Sequence, residues 1–352
     1  MNVELDGESL TINKLVSVAR NDSLVKITDK SWKRIENCRN MLQSKIDSHE
    51  IMYGITTGIG EFSEVTLTPE QTKEFQKLLV RNHAAGIGKP MDIELVRGAI
   101  CGRINVHLKG YSGGRRIITE YLENVLNHKI TPVVCEKGSV GACGDLAPMS
   151  QIALALMGEG EMFVDGDIID SKTALEKIGL EPLELEARDG LALINGSNVL
   201  TALAALILYD AERWMKMHDI AAAMTLEALK ANMKPYDQRI HALRGFKGSQ
   251  KIAANLNSLT AESEILFSGE KKVQDAYSMR STPQVAGSLR DSLDYAREQV
   301  ETELNGVGDN PVFLTKEKEV LTGANFQGTP IALPMEMIGT GLSMVAVLSE
   351  RR

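Results

Sequence analysis

The sequence predicts a mainly α protein, built as a bundle of long helices with a small mixed α/β region near its N-terminus. Apolar residues recur at helical spacing over long stretches, the longest covering residues 198–230, where alanine and leucine dominate. Few segments have the alternating pattern of a strand, and no repeat, low-complexity tract or linker divides the chain. Long helices that are connected without linkers are typical of helical bundles.

The first third of the chain predicts a strand pair followed by helices. Val3–Leu5 and Leu10–Ile12 have strand-forming composition, and Asp6-Gly7 between them favours a turn. Residues 51–60 contain three glycines within a few positions, which excludes a stable helix and predicts a loop. Helices are predicted over residues 32–46, from Thr68-Pro69-Glu70 to about His83, and over residues 92–108 and 116–126.

The rest of the chain predicts a turn, a hairpin and further helices. A glycine-rich turn ends at Asp145, which can cap the following helix, and Pro148 suits that helix's first turn. Met162–Ile169 predicts a hairpin around Asp165-Gly166. Residues 271–283 predict a polar loop, and residues 305–311 a structural turn before a short strand. Helices are predicted over residues 171–178, 198–230, 249–265 and 284–304, and from Thr329 onward.

Composition limits the classes of function. The net charge of −8 argues against a broad nucleic-acid surface. None of the four cysteines forms a C-x-x-C pair and the histidines are scattered, so no metal site is expected. Free cysteines and an N-terminus without an apolar core favour a cytoplasmic protein without a signal peptide. Residues 330–349 are nearly all apolar, but Pro334 and Glu336 interrupt them. We therefore expect a buried helix and no membrane partner.

The chain is organised around one stretch, Gly138-Ser-Val-Gly-Ala-Cys-Gly-Asp-Leu-Ala-Pro148. Taken alone, small residues before an apolar helix indicate a tight turn. The stretch resembles the histidine and phenylalanine ammonia-lyase family, which reads Gly-Ser-Val-Gly-Ala-Ser-Gly-Asp-Leu-Ala-Pro here. Further motifs of that family follow its order over essentially the whole chain: the Tyr53 loop, Asn195-Gly196, Gln274-Asp-Ala-Tyr-Ser-Met-Arg280 and Asn325-Phe326. The resemblance implies the family's fumarase/aspartase-like long-helix fold.

The resemblance implies a cofactor made from the chain itself. In the family, the tripeptide at Ala142-Cys143-Gly144 cyclises to 4-methylidene-imidazol-5-one (MIO), an electrophile. Here Cys143 replaces the family's serine. Ring closure joins the Gly144 nitrogen to the Ala142 carbonyl and uses no side chain of residue 143. Because thiolate leaves more readily than hydroxide, we expect the ring to form. The alternative is an uncyclised cysteine in an inactive protein.

The resemblance also assigns roles to side chains. Tyr53 exchanges a proton at the substrate's amino group, and Tyr277 removes the β-proton when positive neighbours favour its ionised form. Arg280 clamps the carboxylate through its planar guanidinium. His83 contacts the substrate ring, and Asn195 holds the carbonyl region of MIO.

Other matching residues support the site. In the family, Asn325 and Phe326 lie in a loop close to MIO, and Phe326 binds substrate. Gln274 supports the site by hydrogen bonding, and Gly60 belongs to the Tyr53 loop.

The implied reaction converts an aromatic L-amino acid into ammonia and a trans-α,β-unsaturated acid. His83 and the sequence of Val273–Tyr277 favour histidine as the substrate, which would give urocanate in histidine catabolism. The sequence of Asn325–Pro330 resembles that of phenylalanine lyases, and Asn198 stands where histidine lyases usually have glutamine. A tyrosine or phenylalanine lyase, or a 2,3-aminomutase, is therefore the second interpretation. A non-catalytic scaffold or partner subunit is the third.

The resemblance predicts the organisation of the chain. Residues 1–195 form an N-terminal MIO-bearing region and residues 196–352 a central long-helix bundle. Family members continue for more than a hundred residues beyond this point, so the chain is expected to be truncated on its C-terminal side. A separate chain is one possible source of the missing region. Family members assemble as homotetramers, with active sites drawn from more than one subunit.

Overall fold

A computed structural model describes residues 2–352 of the chain, and the predicted mainly α fold is confirmed. The residues group into two compact units. The first contains the described residues up to Leu206 together with Val300–Thr329, and the second contains Ile207–Gln299 and Pro330–Arg352. Residues 300–329 thus return to the first unit. The predicted division at residues 195/196 stays a prediction.

The helices carry most of the fold and follow the predicted order closely. Thr68 forms a capping box at the start of the helix Pro69–His83, and Asp92 precedes the helix Ile93–Leu108. The helices are α1 Ile12–Arg20, α2 Asp29–Asp47, α3 Pro69–His83, α4 Ile93–Leu108, α5 Arg116–Asn127, α6 Leu146–Leu156, α7 Ser171–Lys177, α8 Asp189–Ile194, α9 Asn198–Ala228, α10 Gln238–Arg244, α11 Lys247–Leu259, α12 Glu264–Phe267, α13 Tyr277–Arg280, α14 Thr282–Leu304 and α15 Thr329–Arg351.

The described strands form four small sheets, all within the first unit. β1 and β2 pair in parallel, β3 pairs with β5, β6 lies between β4 and β7, and β8 pairs with β9. The β6–β7 pair is the predicted hairpin around Asp165-Gly166. The strands are β1 Asn2–Leu5, β2 Leu24–Ile27, β3 Ile87–Pro90, β4 Thr131–Pro132, β5 Cys135–Lys137, β6 Glu161–Val164, β7 Asp167–Asp170, β8 Val312–Leu314 and β9 Glu319–Leu321.

The predicted N-terminal strand pair is wrong in its second strand. Thr11 caps a helix, because its side chain accepts a hydrogen bond from the Lys14 amide at 3.3 Å, and α1 begins at Ile12. β1 pairs with Leu24–Ile27, on the far side of α1. The β-branched residues at 11 and 12 suggested a strand, whereas the cap and the amphipathic pattern that follows determine a helix.

Two predicted boundaries in the second unit are also wrong. The helix predicted over residues 249–265 begins at Lys247 and ends at Leu259, and Ser263 caps the separate helix α12. The loop predicted over residues 271–283 contains one helical turn, α13, before α14 begins at Thr282. The short helices α8 and α10 had no sequence prediction, because neither is long enough to show helical periodicity clearly.

Helix α4 forms the centre of the first unit and is buried from Val96 to Leu108. It carries two buried arginines. The guanidinium of Arg97 donates to the Val18 and Leu126 carbonyls at 3.0 and 3.2 Å, and lies 3.3 Å from an Asp22 carboxylate oxygen. Buried cations are tolerated when they are hydrogen-bonded and paired in this way.

The second buried arginine, Arg103, belongs to a charge network with no solvent exposure. Asp309 Oδ2 lies 2.8 Å from Arg103 Nη2, and Asp309 Oδ1 lies 2.7 Å from Arg188 Nη2. Arg188 has a backbone φ of +79°, which is unfavourable for a side-chain-bearing residue. Its guanidinium also donates to the Ser112 and Asn310 carbonyls. The network joins residues 309–310 to α4 and α8.

Burial controls the ionisation of several groups in this core. Burial, together with the positive charge of Arg103, lowers the pKa of His107 to about 3, so the imidazole is neutral at physiological pH. Burial raises the pKa of the Cys38 and Cys101 thiols to about 12. The first unit therefore keeps its buried histidine and both buried cysteines uncharged.

Helix α15 presents much of its apolar surface to solvent within this chain. It is long and apolar enough to cross a membrane by length and composition, and 28% of its most apolar window is buried. Ile331, Ile338 and Val345 are buried, whereas Leu333 and Val347 are exposed. The expectation of a buried helix thus holds for one face only.

We expect Asp309→Ala to lower the free energy of unfolding by about 3–5 kcal/mol, because it leaves two buried guanidinium groups without their carboxylate. Urea denaturation followed by circular dichroism measures the change. The matched control is Glu184→Ala, since Glu184 pairs with Lys73 but its side chain is 74% exposed. A control midpoint near that of the wild type is expected, and equal losses in both variants would contradict the importance of the network.

Candidate active site

A cleft of about 580 Å³ in the first unit brings together four of the predicted site residues, Tyr53, Cys143, Asn195 and Phe326. They come from the loop before α3, the turn before α6, the segment between α8 and α9, and the loop before α15. The described residues that complete its lining are Ile51, Thr57, Ser63, Glu64, Asn310, Thr322 and Gly323.

Tyr53 lies in the predicted glycine-rich loop, which short backbone hydrogen bonds hold closed. The Met52 carbonyl accepts from the amides of Thr56 and Thr57 at 3.0 and 3.2 Å. Gly60 has a φ of +57°, and its amide donates to the Tyr53 hydroxyl at 3.3 Å. Glycine at this position permits the turn that brings its amide to the hydroxyl. The supporting position predicted for Gly60 thus has a direct contact with Tyr53.

The Ala142–Gly144 turn packs directly on the backbone of the segment before α9. Gly144 has a φ of +78°, and a β-carbon added there would lie 2.5 Å from the carbonyl carbon of Gly196. The Asp145 amide donates to the Gly196 carbonyl at 2.8 Å. Only glycine allows this close approach, and the turn leaves Cys143 half-buried at the cleft.

The prediction that the Asp145 side chain caps α6 is wrong. Asp145 occupies the cap position, but its carboxylate makes no capping hydrogen bond. It accepts from the Ser139 hydroxyl at 2.7 Å and from the Leu200 amide at 2.9 Å. Burial raises the pKa of this carboxyl above its usual range. Asp145 therefore connects the turn to the start of α9.

Asn195 carries a polar atom whose partner is missing. The residue is 5% exposed, and its Oδ1 is buried without a hydrogen-bond partner among residues 2–352. Buried amide oxygens are rarely left unsatisfied. The unsatisfied Oδ1 is therefore an acceptor for a hydrogen-bond donor of a molecule bound in the cleft.

His83 does not line this cleft. It is the last residue of α3, half-buried, with its Nδ1 2.8 Å from the Leu79 carbonyl oxygen. Asn325 also lies outside the lining and is exposed, next to Phe326, whose backbone carbonyl accepts from the Ser197 hydroxyl at 2.6 Å. The ring contact predicted for His83 and the support predicted for Asn325 stay predictions.

The second unit holds its own cluster of predicted site residues. The Arg280 guanidinium carbon lies 4.1 Å from the centroid of the Tyr277 ring, in a cation–π contact. With the Gln274 amide oxygen turned toward Arg280, it lies 2.8 Å from Nη2 and 3.2 Å from Nε. Tyr277 is 73% exposed. Gln274 thus holds the guanidinium across the face of an accessible tyrosine.

Sequence reasoning missed several cleft residues. Glu64 is the only charged residue among the described residues of the lining, and Ser63 and Thr322 add hydroxyl groups. Asn310 was expected to be structural, yet it lies at the cleft and its Oδ1 accepts from the Gly323 amide at 2.7 Å. No local pattern marks these positions, because loops that are distant in sequence bring them together.

Comparison with known proteins agrees with this geometry. The sequence pattern of the family described as "Aromatic amino acid lyase" matches residues 10–352. A histidine ammonia-lyase of Alkaliphilus metalliredigens is 41% identical over 351 residues, which are 99% of this chain and 69% of that protein. A histidine ammonia-lyase of Clostridium tetani is also 41% identical, over 99% of this chain and 68% of its own length.

Solved structures show the same fold. The crystal structure of tyrosine aminomutase from Streptomyces globisporus is 34% identical, with a TM-score of 0.92 over all of this chain and 70% of that one. The crystal structure of histidine ammonia-lyase from Trypanosoma cruzi is 33% identical, with a TM-score of 0.91 over all of this chain and 66% of that one. The predicted ammonia-lyase fold is confirmed, and the chain belongs to the aromatic amino acid lyase family, whose enzymes cleave a carbon–nitrogen bond.

Proposed function

We propose that this protein deaminates L-histidine to ammonia and urocanate. The observation that carries the proposal is the cleft at which Tyr53, the Ala142–Gly144 turn and Asn195 meet. Relatives named histidine ammonia-lyase at 41% identity support histidine as the substrate. Glu64, as the only charged lining residue among those described, favours a substrate that brings a positively charged group into the cleft.

We propose that Ala142, Cys143 and Gly144 form MIO, which supplies an electrophilic carbon toward the substrate's amino group. The close approach of Gly144 to Gly196, which folds the turn tightly at the cleft that Asn195 also lines, supports this assignment. Asn195 would hold the group by hydrogen bonding, and Phe326 would supply apolar surface beside it. No pyridoxal-type signature is present in the sequence to supply an alternative electrophile.

The remaining residues would bind the substrate and move its protons. The Tyr53 hydroxyl, held by the Gly60 amide, exchanges a proton at the substrate nitrogen. Tyr277 removes the proton from the carbon beside the ring, and Arg280 binds the substrate carboxylate through its guanidinium. His83 contacts the imidazole ring of the substrate. Loss of ammonia then leaves the trans double bond of the product.

We further propose that the protein works as a homotetramer in the cytoplasm. In the second unit, α9 exposes Met217 and Met224, and α15 exposes Leu333, Met344 and Val347, each by more than half. Large apolar side chains exposed in this number are typical of subunit interfaces. Residues 1–195 would form the MIO-bearing region and residues 196–352 the bundle that assembles.

The cofactor proposal predicts a mass change. Purified protein should be lighter than its sequence by one water and one hydrogen sulfide, measured by intact mass spectrometry. Cys143→Ala is the control, since it has no thiol to eliminate and should not show the combined loss. A wild-type protein of full unmodified mass would contradict cyclisation and favour a scaffold.

The activity proposal predicts that histidine gives the ultraviolet absorbance of urocanate. Tyr53→Phe should lower kcat by about 10²–10⁴-fold because it removes a proton-transfer group. Tyr295→Phe is the control, since Tyr295 is 45% exposed and outside the cleft lining, and its kcat should match the wild type. Product from tyrosine or phenylalanine but not from histidine would overturn the assignment of substrate.

The assembly proposal predicts that light scattering on a sizing column gives four times the chain mass. Replacing Met217 and Met224 by lysine should lower that mass, because the charge must be desolvated at the interface. Replacing the exposed Lys26 and Lys30 of the first unit by glutamate is the matched control. A monomeric wild-type protein would contradict the proposal.

A further inference from the structure

The Ala142–Gly144 turn is supported from behind by the backbone of Asn195 and Gly196. Gly144 approaches Gly196 too closely for any side chain, and the Asp145 amide donates to the Gly196 carbonyl at 2.8 Å. The position of this segment therefore determines where the turn lies. It also determines where the Asn195 amide enters the cleft.

Arg103 contacts this same segment from the other side. Its Nη1 donates to the Asn195 carbonyl at 2.8 Å and to the Gly308 carbonyl at 3.1 Å. A β-carbon added at Gly196 would lie 2.8 Å from Nη1 and 2.7 Å from the Gly308 oxygen. The segment is thus enclosed between the cleft turn and a guanidinium group.

The Arg103 side chain has little freedom to move. It is fully buried, Nε donates to the Ala192 carbonyl at 2.7 Å, and Nη2 pairs with Asp309 at 2.8 Å. A planar guanidinium can serve these acceptors together, which a lysine ammonium cannot match. Arg103 itself does not line the cleft, and it hydrogen-bonds to one lining residue, Asn195, through the backbone carbonyl.

We propose that Arg103 is a positioning residue for the reaction. By holding Asn195 and Gly196 in place, it fixes the backbone on which the Ala142–Gly144 turn must cyclise and aims the Asn195 amide at the cleft. The inference rests on the proposed cofactor. It assigns to a buried arginine of α4 a role in maturation and in catalysis, beyond stabilising the fold.

The step that Arg103 serves is balanced without any external oxidant or reductant. A bond forms between the Gly144 nitrogen and the Ala142 carbonyl carbon. The carbonyl oxygen leaves as water, with the amide hydrogens of Gly144 and Cys143. The Cβ–Sγ bond of Cys143 then breaks, and the sulfur leaves as hydrogen sulfide with the α-hydrogen. The ring closure depends on the position that the contact with Gly196 imposes on Gly144.

The test compares Arg103→Lys with Arg97→Lys. Both replace a buried α4 arginine that donates to backbone carbonyls, but Arg97 contacts Val18 and Leu126. Mass spectrometry of the tryptic peptide 138–172 gives the cyclised fraction, and steady-state assays give kcat and KM for histidine. Arg103→Lys should lower the cyclised fraction, and should lower kcat per cyclised site by about tenfold to a hundredfold at unchanged KM. Arg97→Lys should change neither.

Gly196→Ala provides a second variant that keeps Arg103 intact. Its new methyl group would push against Arg103 Nη1 and the Gly308 carbonyl, and the same losses are expected. If Arg103→Lys does not fold, Gly196→Ala tests the positioning role by itself. Equal losses in the Arg97 and Arg103 variants, or full cyclisation and kcat in both Arg103→Lys and Gly196→Ala, would overturn the positioning role. Absence of cyclisation in the wild type would instead refute the proposed cofactor.

Discussion

The first unit depends on one buried carboxylate, Asp309, that lies between two buried guanidinium groups. Removing three charges from water is costly, so the arrangement is stable only because each ion is paired and hydrogen-bonded. The pairing brings residues 300–329 back to a unit whose other residues end at Leu206. That return delivers Asn310, Thr322 and Phe326 to the cleft, so the site is assembled by the same ions that close the core.

Local signals in the sequence were sufficient for most helices. Three examples are the capping box at Thr68, the glycines of the Tyr53 loop and the long alanine- and leucine-rich pattern of α9. In each case the residues that determine the local structure are close together in the sequence. The N-terminal strand was different. Its partner, Leu24–Ile27, lies beyond a helix, and parallel pairing across such a distance leaves no turn signal that a sequence pattern could reveal.

The site was predictable only where a motif identified it. The resemblance located Tyr53, Cys143, Asn195 and Phe326, which the structure gathers at one cleft. It gave no indication of Glu64 or Thr322, since neither belongs to a recognised motif. At Asp145 a local pattern was misleading. Its position at a helix start predicted a cap, but its carboxylate accepts hydrogen bonds from Ser139 and Leu200. Which partners a short polar side chain finds depends on tertiary packing and not on local sequence.

The raised pKa of the Cys38 and Cys101 thiols has a practical consequence. At neutral pH they are almost entirely in the protonated form, which alkylating reagents attack slowly, and both lie in the interior of the first unit. Any modification of these two sulfurs must therefore follow a transient opening of that interior. Their alkylation rates can therefore report local unfolding of that interior without the introduction of a new cysteine.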